Sequence, residues 1–152
     1  AAVAGGGARG GGERVIELRL DMVPDRRLAP NASGNRSGWT KAPWIEAQRI
    51  QARTCVERAY AVSECLTCPV SVDVVIAWGK TLKAGKKRAR IEQDRRLDWD
   101  SCTVICKPMI DGALVDTGIL GDDRQIQHGT VKQTVDPDGR GFVTITITEV
   151  TG

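Results

Sequence analysis

Long apolar runs are missing from this chain of 152 residues: no stretch approaches the ~20 consecutive apolar residues of a membrane-spanning helix, so no membrane association is expected. The first twelve residues, AAVAGGGARGGG, lack the basic start and apolar run of a secretory signal, which points to a soluble, cytoplasmic protein. They also lack any large apolar side chain after Val3. Residues 1–12 therefore read as a flexible Gly/Ala-rich tail, because nothing in them offsets the entropy of ordering. The remaining 13–152 form one domain, as 41% hydrophobic residues suit a single core even with aromatics at 4%. The cysteines number five. An odd count without a secretory signal excludes a fully paired disulfide framework. Histidine occurs once, at His128, which reads as a surface or strand residue rather than a general base.

The net charge of +3 conceals a strong asymmetry. Residues 80–96, KTLKAGKKRARIEQDRR, carry eight Lys or Arg against two acids. Residues 97–152 carry four basic residues against nine acidic ones. A charge run alone is usually a solvated hairpin. Beside clustered carboxylates, however, a basic stripe is what a nuclease needs, since it holds a polyanion that the carboxylates alone would repel. Lys83, Lys86, Lys87, Arg88 and Arg90 are the candidate phosphate contacts. Four of the five thiols, Cys65 with Cys68 and Cys102 with Cys106, raise zinc binding or a redox CxxC as alternatives. The second pair lies among Val104, Ile105, Met109 and Ile110, where cysteine ordinarily packs as a small hydrophobe.

Periodicity places the elements. RVIELRL (14–20) alternates, with Ile16, Leu18 and Leu20 on one face of a strand. After a polar loop rich in Pro and Gly, Pro43 suits the start of a helix to about Val62, with Ile45, Ala52, Val56 and Ala59 on one face. CPVSVDVVIAWGK is a second strand with Val70, Val72, Val74, Ile76 and Trp78 on one side, and RARIEQDRRLDW is expected to pair back on it. A second helix follows from about Asp100. HGTVKQTV and GFVTITITEV are expected to form a final hairpin around DPDG. The predicted order is β-α-β-β-α-β-β, an α+β domain whose mostly antiparallel sheet is covered by two helices.

Within that frame LDWDSCTVICKPMIDGAL (97–114) gains an address. Asp98 and Asp100 fall at a strand end, where alternate residues share a face, and Asp100 or Ser101 is suited to cap the helix behind them. Lys107 and Asp111 follow on the helix, one turn apart, with Pro108 expected to kink it. Asp111 is expected to pair with Lys107. Trp39 and Trp99 have polar surroundings suited to base stacking, whereas Trp44 and Trp78 suit the core.

The segments Asp98-Trp99-Asp100, Lys107-Pro108-Met109-Ile110-Asp111-Gly112-Ala113-Leu114 and Gly118-Ile119-Leu120-Gly121-Asp122-Asp123 together resemble the RusA family of Holliday junction endonucleases, particularly its phage and prophage forms. The likeness is concentrated in residues 95–127. Ser101 stands where the family usually has Asn, and Lys107 follows Asp100 at about one turn more than in the shortest members. The resemblance implies a Mg²⁺-dependent endodeoxyribonuclease, with Mn²⁺ as a substitute ion, that resolves four-way DNA junctions as a homodimer. It implies Asp98, Asp100 and Asp123 as metal ligands, Lys107 as the catalytic lysine, and Asp122 and Asp111 as outer supports. The chemistry is coherent: clustered carboxylates repel one another, and a hard divalent cation with residual waters relieves that repulsion and supplies a nucleophile. On this basis the Asp123 carboxylate should lie within roughly 5 Å of Asp98 and Asp100, and at least one of the three should have a raised pKa. The rival classes are a non-catalytic DNA-binding module and a nuclease for other branched DNA.

Overall fold

The computed structural model describes residues 4–9, 13–30, 41–79, 97–136 and 139–150. Five strands, β1 (Ala4–Arg9), β2 (Glu13–Leu20), β3 (Val70–Trp78), β4 (Ile126–Val135) and β5 (Gly141–Glu149), form one sheet in the order β1-β2-β5-β3-β4. Two helices, α1 (Ala42–Ala59) and α2 (Trp99–Ile110), complete an α+β fold. Three of the four strand pairings are antiparallel, and only β3 and β4 run parallel.

The alternation that predicts β2 and β3 also builds the core. In register, Ile16, Ile147 and Val72 form one row across the three central strands, Leu18, Ile145 and Val74 a second, and Leu20, Val143 and Ile76 a third. All nine are buried. Ala52 and Val56 of α1 and Cys102, Ile105, Cys106 and Met109 of α2 belong to the same cluster. Each fully buried aliphatic side chain there contributes about 1.5–3 kcal/mol. Trp78 is in the core as expected, and its indole N–H donates to Gln133 at 2.9 Å. On the expected face of α1, Ile45 is exposed and Gln48 is buried, its amide oxygen accepting from the Asp25 N–H at 2.6 Å.

Two expectations are corrected, and a third lies mostly outside the described residues. Residues 4–9, placed in a flexible tail, form β1, pairing from Ala4↔Leu18 to Arg9↔Glu13. Strand pairing is a backbone interaction and needs no apolar side chain. The expected strand RARIEQDRRLDW lies mostly in 80–96, outside the described residues, as do Lys83, Lys86, Lys87, Arg88, Arg90 and Trp39; its end is not strand, since Trp99 opens α2. Among the described residues the order is therefore β-β-α-β-α-β-β. The final hairpin does not form either, because β3 lies between β4 and β5. The alternately buried β5 takes a central place, while the largely exposed β4 takes the edge. The connection crosses the end of β3, where the Asp136 N–H donates to the Trp78 carbonyl at 2.8 Å. It passes so close that a Cβ on Gly79 would lie 2.2 Å from the Arg140 carbonyl carbon.

No described helix is long and apolar enough to cross a membrane.

Candidate active site

The acidic motif sits on α2 rather than on a strand. Asp98 is the residue before the first helical turn and Asp100 lies within that turn, both exposed. Neither Asp100 nor Ser101 caps the helix; Asp98 occupies the cap position without a side-chain hydrogen bond to it. The segment is aligned by Gln133 of β4, whose side chain accepts from the Leu97 N–H at 2.8 Å and donates to the Leu97 carbonyl at 2.9 Å. The helix continues through Pro108 and widens into a π-helical turn at Asp111–Val115, just beyond the donor that Pro108 lacks.

At the far end of α2 the second and third motif segments meet. The Lys107 ammonium donates to Asp111 Oδ1 at 3.0 Å and to Asp123 Oδ2 at 2.5 Å. The first contact is the one-turn pair expected from the sequence. The second closes a separation of sixteen residues. Asp123 reaches the helix because residues 120–125 are folded back against the loop before β3. Leu66 bridges Leu120, and the Leu66 N–H donates to the Ile119 carbonyl at 2.8 Å. Asp122 caps the short turn Asp123–Gln125 by accepting from the Arg124 N–H at 2.9 Å. It thus shapes the turn that carries Asp123, and its side chain also lies against the Asp123 carboxylate.

The electrostatics follow from these contacts. Hydrogen bonding to Asp123 is the largest influence and raises the Lys107 pKa; burial opposes it, and the bond to Asp111 adds to the rise. The same Lys107 contact holds the Asp123 pKa below its ordinary value. Both shifts favour the charged pair: Asp123 stays ionised down past the ordinary carboxylate range, and Lys107 stays protonated above the ordinary lysine range. The trio nonetheless sums to −1.

The implied metal set does not assemble. Among the described residues no group of three or more His, Cys, Asp or Glu side chains could hold a metal ion. The reason is distance along the helix: seven residues from Asp100 to Lys107 correspond to a rise of about 10 Å, so Asp98 and Asp100 sit at one end of α2 and Asp123 at the other. Asp123 is on the same side of the sheet as α2, but its carboxylate is engaged by Lys107, and its pKa is lowered rather than raised. As placed, these carboxylates do not fit a shared Mg²⁺. The thiols do not assemble either: Cys102 and Cys106 are buried in α2, Cys65 is exposed and Cys68 half-buried.

Beside the lysine, a cleft of about 280 Å³ opens between α2 and the β3–β4 edge. Trp99, Thr103, Lys107 and Ile110 line it from the helix at spacings of 4, 4 and 3, one helical face. Val72, Val74 and Val131 form the opposite wall. Trp99 is 70% exposed, in keeping with its polar sequence surroundings. Trp44 is partly buried, with the Arg27 guanidinium 4.3 Å over its ring. His128 lies exposed on β4.

No protein-family model matches the chain, and no curated protein sequence matches it.

Sequence reasoning missed Gln125, which organises the Asp123 loop. Its signal was present: Asp122 followed three residues later by Gln is a capping-box pattern, and both reciprocal bonds form.

Proposed function

We propose that the chain is a structure-specific endodeoxyribonuclease for branched DNA, of the RusA-like kind, cutting four-way junctions as a two-fold homodimer. The observation that supports this most is the Lys107–Asp123 contact. Two motif segments that the resemblance assigns to one active centre are joined by a direct ion pair, beside a cleft with an exposed tryptophan at its rim. In this proposal Lys107, held protonated by Asp111 and Asp123, stabilises negative charge developing at the scissile phosphate. The trio itself does not attract a polyanion, so DNA capture falls to the basic run of 80–96, which immediately precedes α2 in the chain. A junction has two strands to cut symmetrically, which suits two identical subunits each facing one strand.

The test is cleavage and binding of a synthetic four-way junction in Mg²⁺ or Mn²⁺, with binding repeated in EDTA. Asp100 stands a helix length away from Lys107 and Asp123, so Asp100→Asn tests the role that the resemblance gives it: loss of cleavage with binding nearly intact would support that role. As an acid in the first turn of a helix, Asp100 is worth only about 0.3–1 kcal/mol to stability, so loss of cleavage in a folded variant requires a chemical role. Full activity in Asp100→Asn would overturn its assignment. The basic run is tested separately. Lys86→Ala, Lys87→Ala and Arg88→Ala together should weaken binding and flatten its logarithmic salt dependence by roughly 0.9 per lost phosphate contact. An unchanged slope would remove this segment from the DNA interface.

A second reading, a DNA-binding module without catalysis, is favoured by one observation: the three aspartates are not gathered. Such a module binds junctions in EDTA and in Mg²⁺ alike and cuts in neither. A nuclease for flaps or other branches would instead be separated by a substrate panel.

A further inference from the structure

We infer that Gln125 is a positioning residue that sets Asp123 against Lys107. The inference rests on the nuclease proposal for its catalytic meaning, but its geometry stands apart from that proposal. The Gln125 amide uses all four of its hydrogen-bonding valences. Its oxygen accepts from the Gly121 N–H at 2.8 Å and the Asp122 N–H at 3.0 Å. Its nitrogen donates to the Leu66 carbonyl at 2.7 Å and the Cys68 carbonyl at 3.0 Å. The first pair shapes the turn that carries Asp123; the second fastens that turn to the loop entering β3. One side chain thus joins segments 57 and 59 residues apart, at the point where Asp123 leaves the backbone.

The Asp123 side chain bonds Lys107 and its own neighbour Asp122, and neither contact ties it to the loop before β3. Asp123 is exposed, in a helical turn of three residues, and its side chain meets Lys107 from outside. Gln125 is half-buried and points the other way, toward the 65–68 loop. It touches neither Lys107 nor the cleft, so any effect on the ion pair must pass through the position of the turn. A misplacement of about 1 Å at a reacting centre costs on the order of 100-fold, which makes such an anchor consequential for a site built on an exposed loop.

The test uses the full chain and two variants. Gln125→Ala removes all four bonds. Gln125→Glu keeps two acceptors for Gly121 and Asp122 but sets a carboxylate against the Leu66 and Cys68 carbonyls. Amide exchange at Gly121 and Asp122 reports the turn, and the solvent-exchange rate of the Lys107 ammonium protons by NMR reports the ion pair, with Asp123→Asn as the reference for its loss. Persisting protection of the β3 and β5 amides shows that each variant is folded. In Gln125→Ala, both loop amides should exchange at least about tenfold faster, and the Lys107 ammonium should exchange as in Asp123→Asn. In Gln125→Glu the loop amides should stay protected while the Lys107 ammonium is still released. On junction DNA both variants should lose between about 10- and 100-fold in kcat with KM little changed. A Lys107 ammonium that stays protected in both folded variants would overturn the inference, leaving Gln125 as a loop staple alone. If the unaltered chain does not cut junctions, the nuclease proposal fails, while the NMR measurements still decide the role of Gln125.

Discussion

Lys107→Ala should lower junction cleavage by about 10²–10³-fold with junction binding close to that of the unaltered chain, the loss typical of removing one preorganised charge donor from a reacting centre. The split between cleavage and binding follows from the site. The ammonium is already neutralised twofold, by Asp111 and Asp123, so it adds little long-range attraction for DNA. Its value is local, as a positive charge held in one place by two carboxylates. Removing it has a second effect. Both carboxylates bond the same nitrogen, so their oxygens lie no farther apart than the two contacts laid end to end. Without the ammonium they face each other uncompensated, and at least one pKa should rise toward neutrality. Lys107→Arg separates these effects, because it restores charge compensation but not the compact point charge of an ammonium. Recovery of carboxylate ionisation without recovery of cleavage is the expected result. Cleavage unchanged in Lys107→Ala would remove the lysine from the chemistry and leave the DNA-binding module as the better account.

How much of this was legible in the sequence depended on whether the deciding force was local. The alternation of β2 and β3 was readable because it is the burial pattern itself: Ile16, Leu18 and Leu20 face the core, as do Val72, Val74 and Ile76. The Lys107–Asp111 pair was readable because helical spacing alone brings the two together. The neighbours of β5 were not readable. DPDG looks like a hairpin turn to any local rule, yet the more apolar strand gains by sitting between β2 and β3, and that gain depends on segments 63 to 133 residues away. The start of α2 was misread for a similar reason. Asp98-Trp99-Asp100 alternates charge and apolar character like a strand end, but the Gln133 hydrogen bonds to Leu97 fix the chain at the mouth of a helix. The metal set failed with it, since two carboxylates shared by a strand face became two positions at one end of α2. Asp123 was expected to return to Asp98 and Asp100, but its carboxylate meets Lys107 at the other end of α2 instead.

Gly112→Ala should be the most destabilising single-methyl change in the motif region, at the upper end of the usual cost of about 1–3 kcal/mol for overpacking, and should lower the Tm by about 6 °C or more. A Cβ built there would lie 2.2 Å from the Arg49 carbonyl oxygen and 2.8 Å from both its carbonyl carbon and its Cα. These are backbone atoms of α1, so no rotamer change makes room and the two helical segments must part. Parting them strains the Arg49–Asp116 pair beside the contact, whose two hydrogen bonds of 2.6 and 3.0 Å link α1 to the turn after residue 115. The motif glycine is thus a packing requirement, although a sequence pattern alone presents it as part of a catalytic signature. Gly118→Ala is the informative comparison. Gly118 has φ of +83° with nothing within 4 Å of its missing Cβ, so its substitution costs only the left-handed backbone penalty of roughly 1–2 kcal/mol. Thermal unfolding of both variants should rank Gly112→Ala below Gly118→Ala. A Gly112→Ala protein that unfolds at the unaltered temperature would show that α1 does not approach the π-helical turn this closely. Because Asp111 precedes Gly112 on the same π-helical turn, the packing that excludes a methyl group there also fixes one of the two carboxylates that hold Lys107.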